Sequence, residues 1–554
     1  MFGSLFVKLS HYVGIKVNLL FKGKYNWLAF IILLATGVRV IQLGGKNLWI
    51  DEIITAIFTF GIGYQGIPTE ELIPLDQISL LFQYQNQSCS EIANALAQKS
   101  SHPPLFFCLM HSWLGFLQQL SFLDISLAIQ LRLLPVILGI IAIFALYHLN
   151  QASFSQRAGL VGATLMAVSP FTVYLSQEAR QYTLGLTLVT IALLALIKIL
   201  KQGGFISWLL WGMTNSIGIY THYFFLLSFF AQIITLLVFF YPFPKRIITL
   251  GGVIIGVSLS YLPWLPTVID HFSSATTDWL PEFDWFSPIY QLLLGGLVMV
   301  VTFPVEKQPL PVQILSGIFM LGFAGWLIYR FRVGYQQLQN DSDTKKVTLA
   351  LSLYLIILLV QFVLVIYLLQ RNIAIAPRYN YIFYPAICAL LGASLSFPQQ
   401  RKALLTVISV GLISSLFVVF NFFFIKPYQP ELTAERFNRH SESTLVIMTY
   451  KNQAELALGL SYGLALDRIS AQSSDSALIL LDREEGYNQV WQKISQLAIK
   501  IENTWLIAPG LREKDFPNHL NLAQEQNCQR DRAEYYRIGF PYQRYQCQEN
   551  LKES

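Results

Sequence analysis

Residues 27–424 carry a succession of apolar runs, and this constrains the fold more than any other feature of the chain. The runs are Trp27–Leu43, Ile129–Tyr147, Gly159–Tyr174, Leu184–Leu200, Trp208–Tyr220, Phe224–Phe240, Ile247–Trp264, Ile314–Tyr329, Val347–Leu369, Tyr381–Phe397 and Ala403–Phe424. Each approaches the roughly 20 residues that cross a hydrocarbon layer. Two more, Pro103–Leu120 and Phe286–Val301, read equally as crossings or as helices lying in the interface. Hydrocarbon offers no hydrogen-bond partner, so these segments must satisfy their backbone internally as helices. Composition agrees: 13% of the 554 residues are charged, against about 25% in soluble domains. The net charge of +6 falls between apolar runs, which fits cytoplasmic loops and gives no reason to expect a nucleic-acid partner. The first 25 residues carry Lys8, Lys16, Lys22 and Lys24, no acid, and no evident cleavable signal.

Charge sets the expected topology. The basic N-terminus, residues 1–25, belongs in the cytoplasm. So do the loops holding Arg157, Lys198 with Lys201, Lys245 with Arg246, Arg330 with Arg332, and Arg401 with Lys402. All fit one arrangement if both ambiguous runs stay in the outer leaflet. That gives about eleven spans over residues 26–424. It also gathers Asp51, Glu52, His102, Glu178, Arg180, His222, Tyr223, Arg378 and Tyr379 at outer helix ends, from five separate stretches. Convergence on one face is what a site at the membrane surface requires.

Leu48-Trp49-Ile50-Asp51-Glu52 places two acids just past the first run. Acids at the mouth of a span are costly and are read as functional. A partly desolvated Asp51 is a candidate general base, with Glu52 orienting a partner or capping the next helix. Ser101-His102-Pro103-Pro104-Leu105 is a rigid helix entry that holds His102 at the interface, as an anion ligand or as a simple cap. Ser176-Gln177-Glu178-Ala179-Arg180-Gln181-Tyr182 has two readings. In one, Glu178 pairs internally with Arg180. In the other, Glu178 meets a sugar or metal and Arg180 a phosphate. Thr221-His222-Tyr223 breaks two helices and Pro377-Arg378-Tyr379 opens another. The Arg378 guanidinium matches phosphate oxygens two at a time, or else snorkels to headgroups. Snorkelling is the expectation for Arg39 inside the first run.

After Lys426 the chain becomes less apolar. Thr444–Thr449, Ala477–Leu481 and Thr504–Ala508 read as strands, and Gln453–Tyr462 and Tyr487–Lys500 as helices. Residues 425–554 are therefore a small α/β domain. It carries no phosphate-cradling loop, and no catalysis is assigned to it. Five cysteines show no metal-ligand spacing. Cys528 and Cys547 are able to pair if the tail is extracytoplasmic, and a reduced pair is the alternative.

The order Trp49-Ile50-Asp51-Glu52, His102-Pro103-Pro104-Leu105, Ser176-Gln177-Glu178-Ala179-Arg180-Gln181-Tyr182, Thr221-His222-Tyr223 and Pro377-Arg378-Tyr379 resembles membrane glycosyltransferases of GT-C type. It is similar in particular to the family 39-like group of protein O-mannosyltransferases and lipid A aminoarabinose transferases. The resemblance covers roughly residues 26–424. It implies a mainly α, polytopic GT-C architecture, a polyprenyl-phosphate sugar donor, an extracytoplasmic site, and Asp51 as the matching catalytic acid. The long lumenal insertion of the eukaryotic mannosyltransferases is absent, so the hydroxyl acceptor (lipid, glycan or protein) stays open. The expected enzyme is an inverting glycosyltransferase in a bacterial plasma (inner) membrane, among membrane lipids. No cofactor is required, and a divalent metal near Glu178 is left open. The competing reading is a lipid or polysaccharide transporter without chemistry, whose usual repeats and midplane ionisable groups are not evident here.

Overall fold

The computed structural model describes residues 24–120, 125–273, 283–439, 443–470, 476–523 and 526–549. The expected cytoplasmic N-terminus therefore lies, for residues 1–23, outside the described residues. The protein is mainly helical, with a sheet-containing C-terminal region. It divides into two compact units. One comprises residues 1–41, 101–103 and 135–423; the other comprises 42–100, 104–134 and 424–554.

Among the described residues six helices are long and apolar enough to cross a membrane: Leu127–Ser153, Tyr182–Lys201, Pro244–Phe272, Leu310–Leu338, Ser342–Leu368 and Pro398–Val419. The pair Gln156–Ala167 and Pro170–Ser176, bent by 61°, is apolar and long enough when taken together, as a broken span or a re-entrant loop. The bend follows from sequence. Pro170 has no N–H for the preceding helix, and the Ser169 hydroxyl accepts from Thr172 N–H to start a new one. Each of the eleven expected runs is helical, the other four as the shorter helices Asn26–Val40, Phe205–Ile219, Phe225–Phe240 and Tyr384–Leu395. Of the two ambiguous runs, Leu105–Gln118 is a helix of the second unit and Ser287–Val298 a helix of the first.

Arg39 corrects one expectation. It does not snorkel but is fully buried. Its guanidinium donates to Ser176 Oγ, Thr172 Oγ1 and the carbonyls of Ala35, Met166 and Ala167, at 2.9–3.2 Å. A cation survives in an apolar setting when its donors are all met, and the bent Ala167–Pro170 segment exposes the carbonyls that do this.

In the second unit a seven-stranded sheet runs in the order β1 (Ile73–Pro74), β3 (Ala477–Asp482), β2 (Thr444–Tyr450), β4 (Asn503–Ile507), β7 (Phe540–Glu549), β6 (Gln526–Ile538), β5 (His519–Asn521). β2 is parallel to β3 and β4, and β5–β7 form an antiparallel edge. The first three expected strands are all present, and the β6–β7 hairpin is additional. Leu445, Ile447, Ile479, Leu481, Leu506 and Tyr545 form the core with the helix Tyr487–Ser495. Helix Gln453–Asp467 packs on residues 75–82, with the tip of Ile78 seated against the bare face of Gly463. Cys528 and Cys547 face each other across β6 and β7 and are disulfide-bonded; a second bond joins Cys89 to Cys108.

Candidate active site

In the first unit the loop between helices Pro170–Ser176 and Tyr182–Lys201 carries Glu178 and Arg180, both buried. Gln177 anchors it by donating to the carbonyls of Arg39 and Ile41 at 3.1 and 2.9 Å. The Arg180 N–H then bonds the Glu178 carbonyl at 2.8 Å, a tight turn that fixes both side chains. Arg180 Nη2 lies 2.8 Å from His102 Nε2. A guanidinium only donates, so Nε2 of His102 accepts and Nδ1 carries the proton. His222, in the turn between helices Phe205–Ile219 and Phe225–Phe240, accepts from the Phe224 N–H at Nδ1, 3.1 Å away. Its Nε2 therefore carries the proton.

Both imidazoles lie in loops outside the spans. Burial first, then the charge of Arg180, holds His102 well below the usual imidazole range. Burial, then Arg180 and Arg378, lowers His222 to about 3. At neutral pH both are neutral hydrogen-bonding groups. The fixed positive charge belongs to the two arginines.

Arg378 opens the 3-10 turn Pro377–Ile382. Its Nε donates to Tyr182 Oη at 3.1 Å, and its guanidinium carbon lies 5.7 and 5.8 Å from the ring centres of Tyr182 and Tyr379. His222 is surrounded by Tyr182, Tyr379, Tyr381 and Phe224, with centroids 5.1–5.9 Å away. The Tyr223 hydroxyl accepts from Trp264 Nε1 at 3.2 Å and shares a hydrogen bond with His271 Nδ1 at 2.8 Å. Thus His102, Glu178, Arg180, His222, Tyr223, Arg378 and Tyr379 all fall in one unit. Tyr381, Trp264 and His271 join them and carried no separate signal in the sequence. Two guanidiniums set among imidazole and phenol groups, walled by aromatic rings, suit an anionic group attached to a bulky polar one. Among the described residues no three His, Cys, Asp or Glu side chains converge as a metal site.

In the second unit Asp51 and Glu52 occupy the first turn of helix Ile50–Thr59, where acids favour the helix dipole. Glu52 is fully buried in a two-pronged pair with Arg132: Nε to Oε1 at 2.8 Å and Nη2 to Oε2 at 2.7 Å. The same guanidinium donates to the carbonyls of Leu43, Lys46 and Asn47 at 2.8–3.1 Å. Both roles expected for Glu52 are met: it holds Arg132, and its Oε2 accepts from the Trp49 N–H at 3.4 Å, capping its own helix. Arg132, hidden inside an apolar run, was not singled out from sequence. Asp51 is half-buried and contributes to the field that, after burial and Glu455, raises the Tyr428 phenol. The C-terminal region holds the preceding loop. Glu431 accepts from Asn47 N–H, Arg468 donates to the Gly45 carbonyl, the Ser461 hydroxyl bonds the Leu48 carbonyl, and Lys426 Nζ lies 3.9 Å from the Trp49 ring centre.

Residues 101–264 match the family model of the dolichyl-phosphate-mannose-protein mannosyltransferases. The match contains His102, Glu178, Arg180, His222 and Tyr223 and leaves Asp51 and Arg378 outside. The resemblance to GT-C glycosyltransferases drawn from the motifs is therefore met independently over this segment. The chain is also similar to ArnT from Cupriavidus metallidurans bound to undecaprenyl phosphate, at 11% identity over 94% of this chain and 98% of that one, with TM-score 0.46. A second similar structure is the oligosaccharyltransferase AglB from Archaeoglobus fulgidus in complex with an inhibitory peptide and a dolichol-phosphate. There the identity is 11% over 87% of this chain and 69% of that one, with TM-score 0.43. No curated protein matches the sequence.

Proposed function

We propose that the protein is an inverting glycosyltransferase that moves a sugar from a polyprenyl-phosphate donor to a hydroxyl of a lipid, glycan or protein. The reaction is placed on the outer face of a bacterial plasma membrane. The observation that carries this reading is the Arg180–His102 contact inside the matched segment, in one unit with Arg378. In this reading the two arginines receive the donor phosphate, and the protonated nitrogens of the neutral histidines add donors. Asp51 takes the proton of the acceptor hydroxyl. The hydroxyl oxygen attacks the anomeric carbon on the face opposite the phosphate, the carbon–oxygen bond to phosphate breaks, and its electron pair stays on the phosphate. Charge growing there is stabilised by Arg378 and Arg180. A phosphate leaving group needs no protonation, so one carboxylate suffices. Two disulfides in the second unit support an extracytoplasmic position for it, since such bonds persist in oxidising compartments.

The test is transfer by purified protein from a panel of synthetic polyprenyl-phosphate sugars, reading both labelled acceptor and released polyprenyl phosphate. Dialysis against a chelator, included in the same assay, decides metal dependence. Transport of a glycolipid across vesicles without any transfer would refute the proposal in favour of a carrier.

A further inference from the structure

The outer face of the β5–β6–β7 edge is rich in amides, with His519, Arg530, Asp531 and Arg532 beside them. Alternation along each strand buries Leu520, Cys528, Tyr545 and Cys547 and turns His519, Gln529, Gln546 and Gln548 outward. Strand register then sets His519, Gln529 and Gln546 in one row, and Asn521, Asn527 and Gln548 in the next. All of these but Asn521, together with Asn518, Arg530, Asp531 and Arg532, line a concavity of about 770 Å³, within the roughly 300–1,000 Å³ typical of ligand sites.

A solvated strand face ordinarily carries charge, and Asn is poorly suited to strands. Of the three charged residues in the lining, Arg532 is exposed, and Arg530 and Asp531 are already engaged. Arg530 donates to Gln543 Oε1 at 2.9 Å and to the Phe516 carbonyl at 3.3 Å, and Asp531 receives Arg544 at 3.2 Å. The amides are not engaged. Among the described residues Asn527 Oδ1 is buried without a hydrogen-bond partner. Each amide offers a donor and an acceptor side by side, the complement of adjacent sugar hydroxyls. No apolar side chain lines the concavity, which disfavours a lipid.

We propose that this face binds a neutral glycan and presents it as the acceptor. The choice of a glycan, and its role as acceptor, rests on the glycosyl-transfer reading; the binding does not require turnover. The experiment uses the full chain in lipid nanodiscs on an array of defined neutral oligosaccharides, followed by calorimetric titration with the tightest binder. The double variant Gln529→Ala/Gln546→Ala should bind it at least tenfold more weakly with an unchanged melting temperature, because both side chains are exposed. Asp51→Asn should bind as the wild type does. Absence of binding to any neutral oligosaccharide, binding confined to anionic glycans, or equal affinity in the double variant overturns the proposal and leaves glycosyl transfer standing. Specific binding in a wild type that transfers no sugar overturns the transfer reading, and with it the acceptor role, while leaving the glycan site.

Discussion

Replacing Arg132 by methionine should cost more stability than any exposed substitution in the second unit. The change removes five hydrogen bonds, two to Glu52 and three to the carbonyls of Leu43, Lys46 and Asn47. It leaves a carboxylate that is 1% exposed without its counter-charge. Breaking a buried pair from one side costs about 3–5 kcal/mol. Stranded carbonyls add about 1–3 kcal/mol each, less whatever the loop recovers by turning toward water. An expectation of about 4–6 kcal/mol follows for Arg132→Met. Glu52→Gln keeps volume and one acceptor and leaves the guanidinium its three carbonyls, so about 2–3 kcal/mol is expected. At about 2–4 °C per kcal/mol for a unit of this size, Arg132→Met should lower the melting temperature by about 8–24 °C. The assay is thermal unfolding of purified protein in detergent, followed by tryptophan fluorescence. Arg468→Ala serves as control, since it removes an exposed bond to the same loop and should cost at most about 1 kcal/mol. If Arg132→Met melted within a few degrees of the wild type, the pair would not be holding the loop. Glu52 would then not act by positioning.

The remaining predictions concern chemistry, topology and pH. Asp51→Asn should leave folding and donor binding intact and lower turnover by about 10²-fold or more, whereas Arg378→Lys, which loses the planar fork, should weaken donor binding and turnover together; near-normal turnover in Asp51→Asn removes it as the base. Reporter fusions after Lys24, Lys201, Arg246 and Lys402 should read cytoplasmic and fusions after Asp51 and Glu178 external, and an external result at Arg246 refutes the topology. In unfolded, unreduced protein only Cys388 should alkylate, and labelling at Cys89 or Cys528 would count against the disulfides. His222 is neutral in the folded protein with a pKa of about 3, so the unfolded chain takes up its proton first as pH falls below about 6.5. Stability should therefore be complete above that pH and decline toward pH 3, by about 1.4 kcal/mol per pH unit from His222. The shift of His102 has the same sign, and a His222→Gln variant should melt with a shallower pH dependence.

Much of this protein was legible in its residues because the signals are local. Apolar runs of membrane length dictate helices wherever they occur. Strand alternation at Thr444–Tyr450 and Ala477–Asp482 shows in a window of a few residues, and the polar breaks at 102, 178–182, 222 and 378 mark helix ends. Their grouping could be inferred because charge assigns helix ends to a membrane face. What sequence could not supply was any pairing between distant residues. Arg39 reads as a snorkelling cation until the bend at Ser169-Pro170 supplies carbonyls more than a hundred residues away. Arg132 reads as a stray charge in an apolar run until Glu52 meets it. Cys108 reads as part of a membrane-dipping helix until Cys89 is beside it. Nor does the sequence announce that residues 42–100 and 104–134 gather with the C-terminal chain. A polar group's meaning depends on which partner desolvates or neutralises it, and only the closed chain brings that partner near.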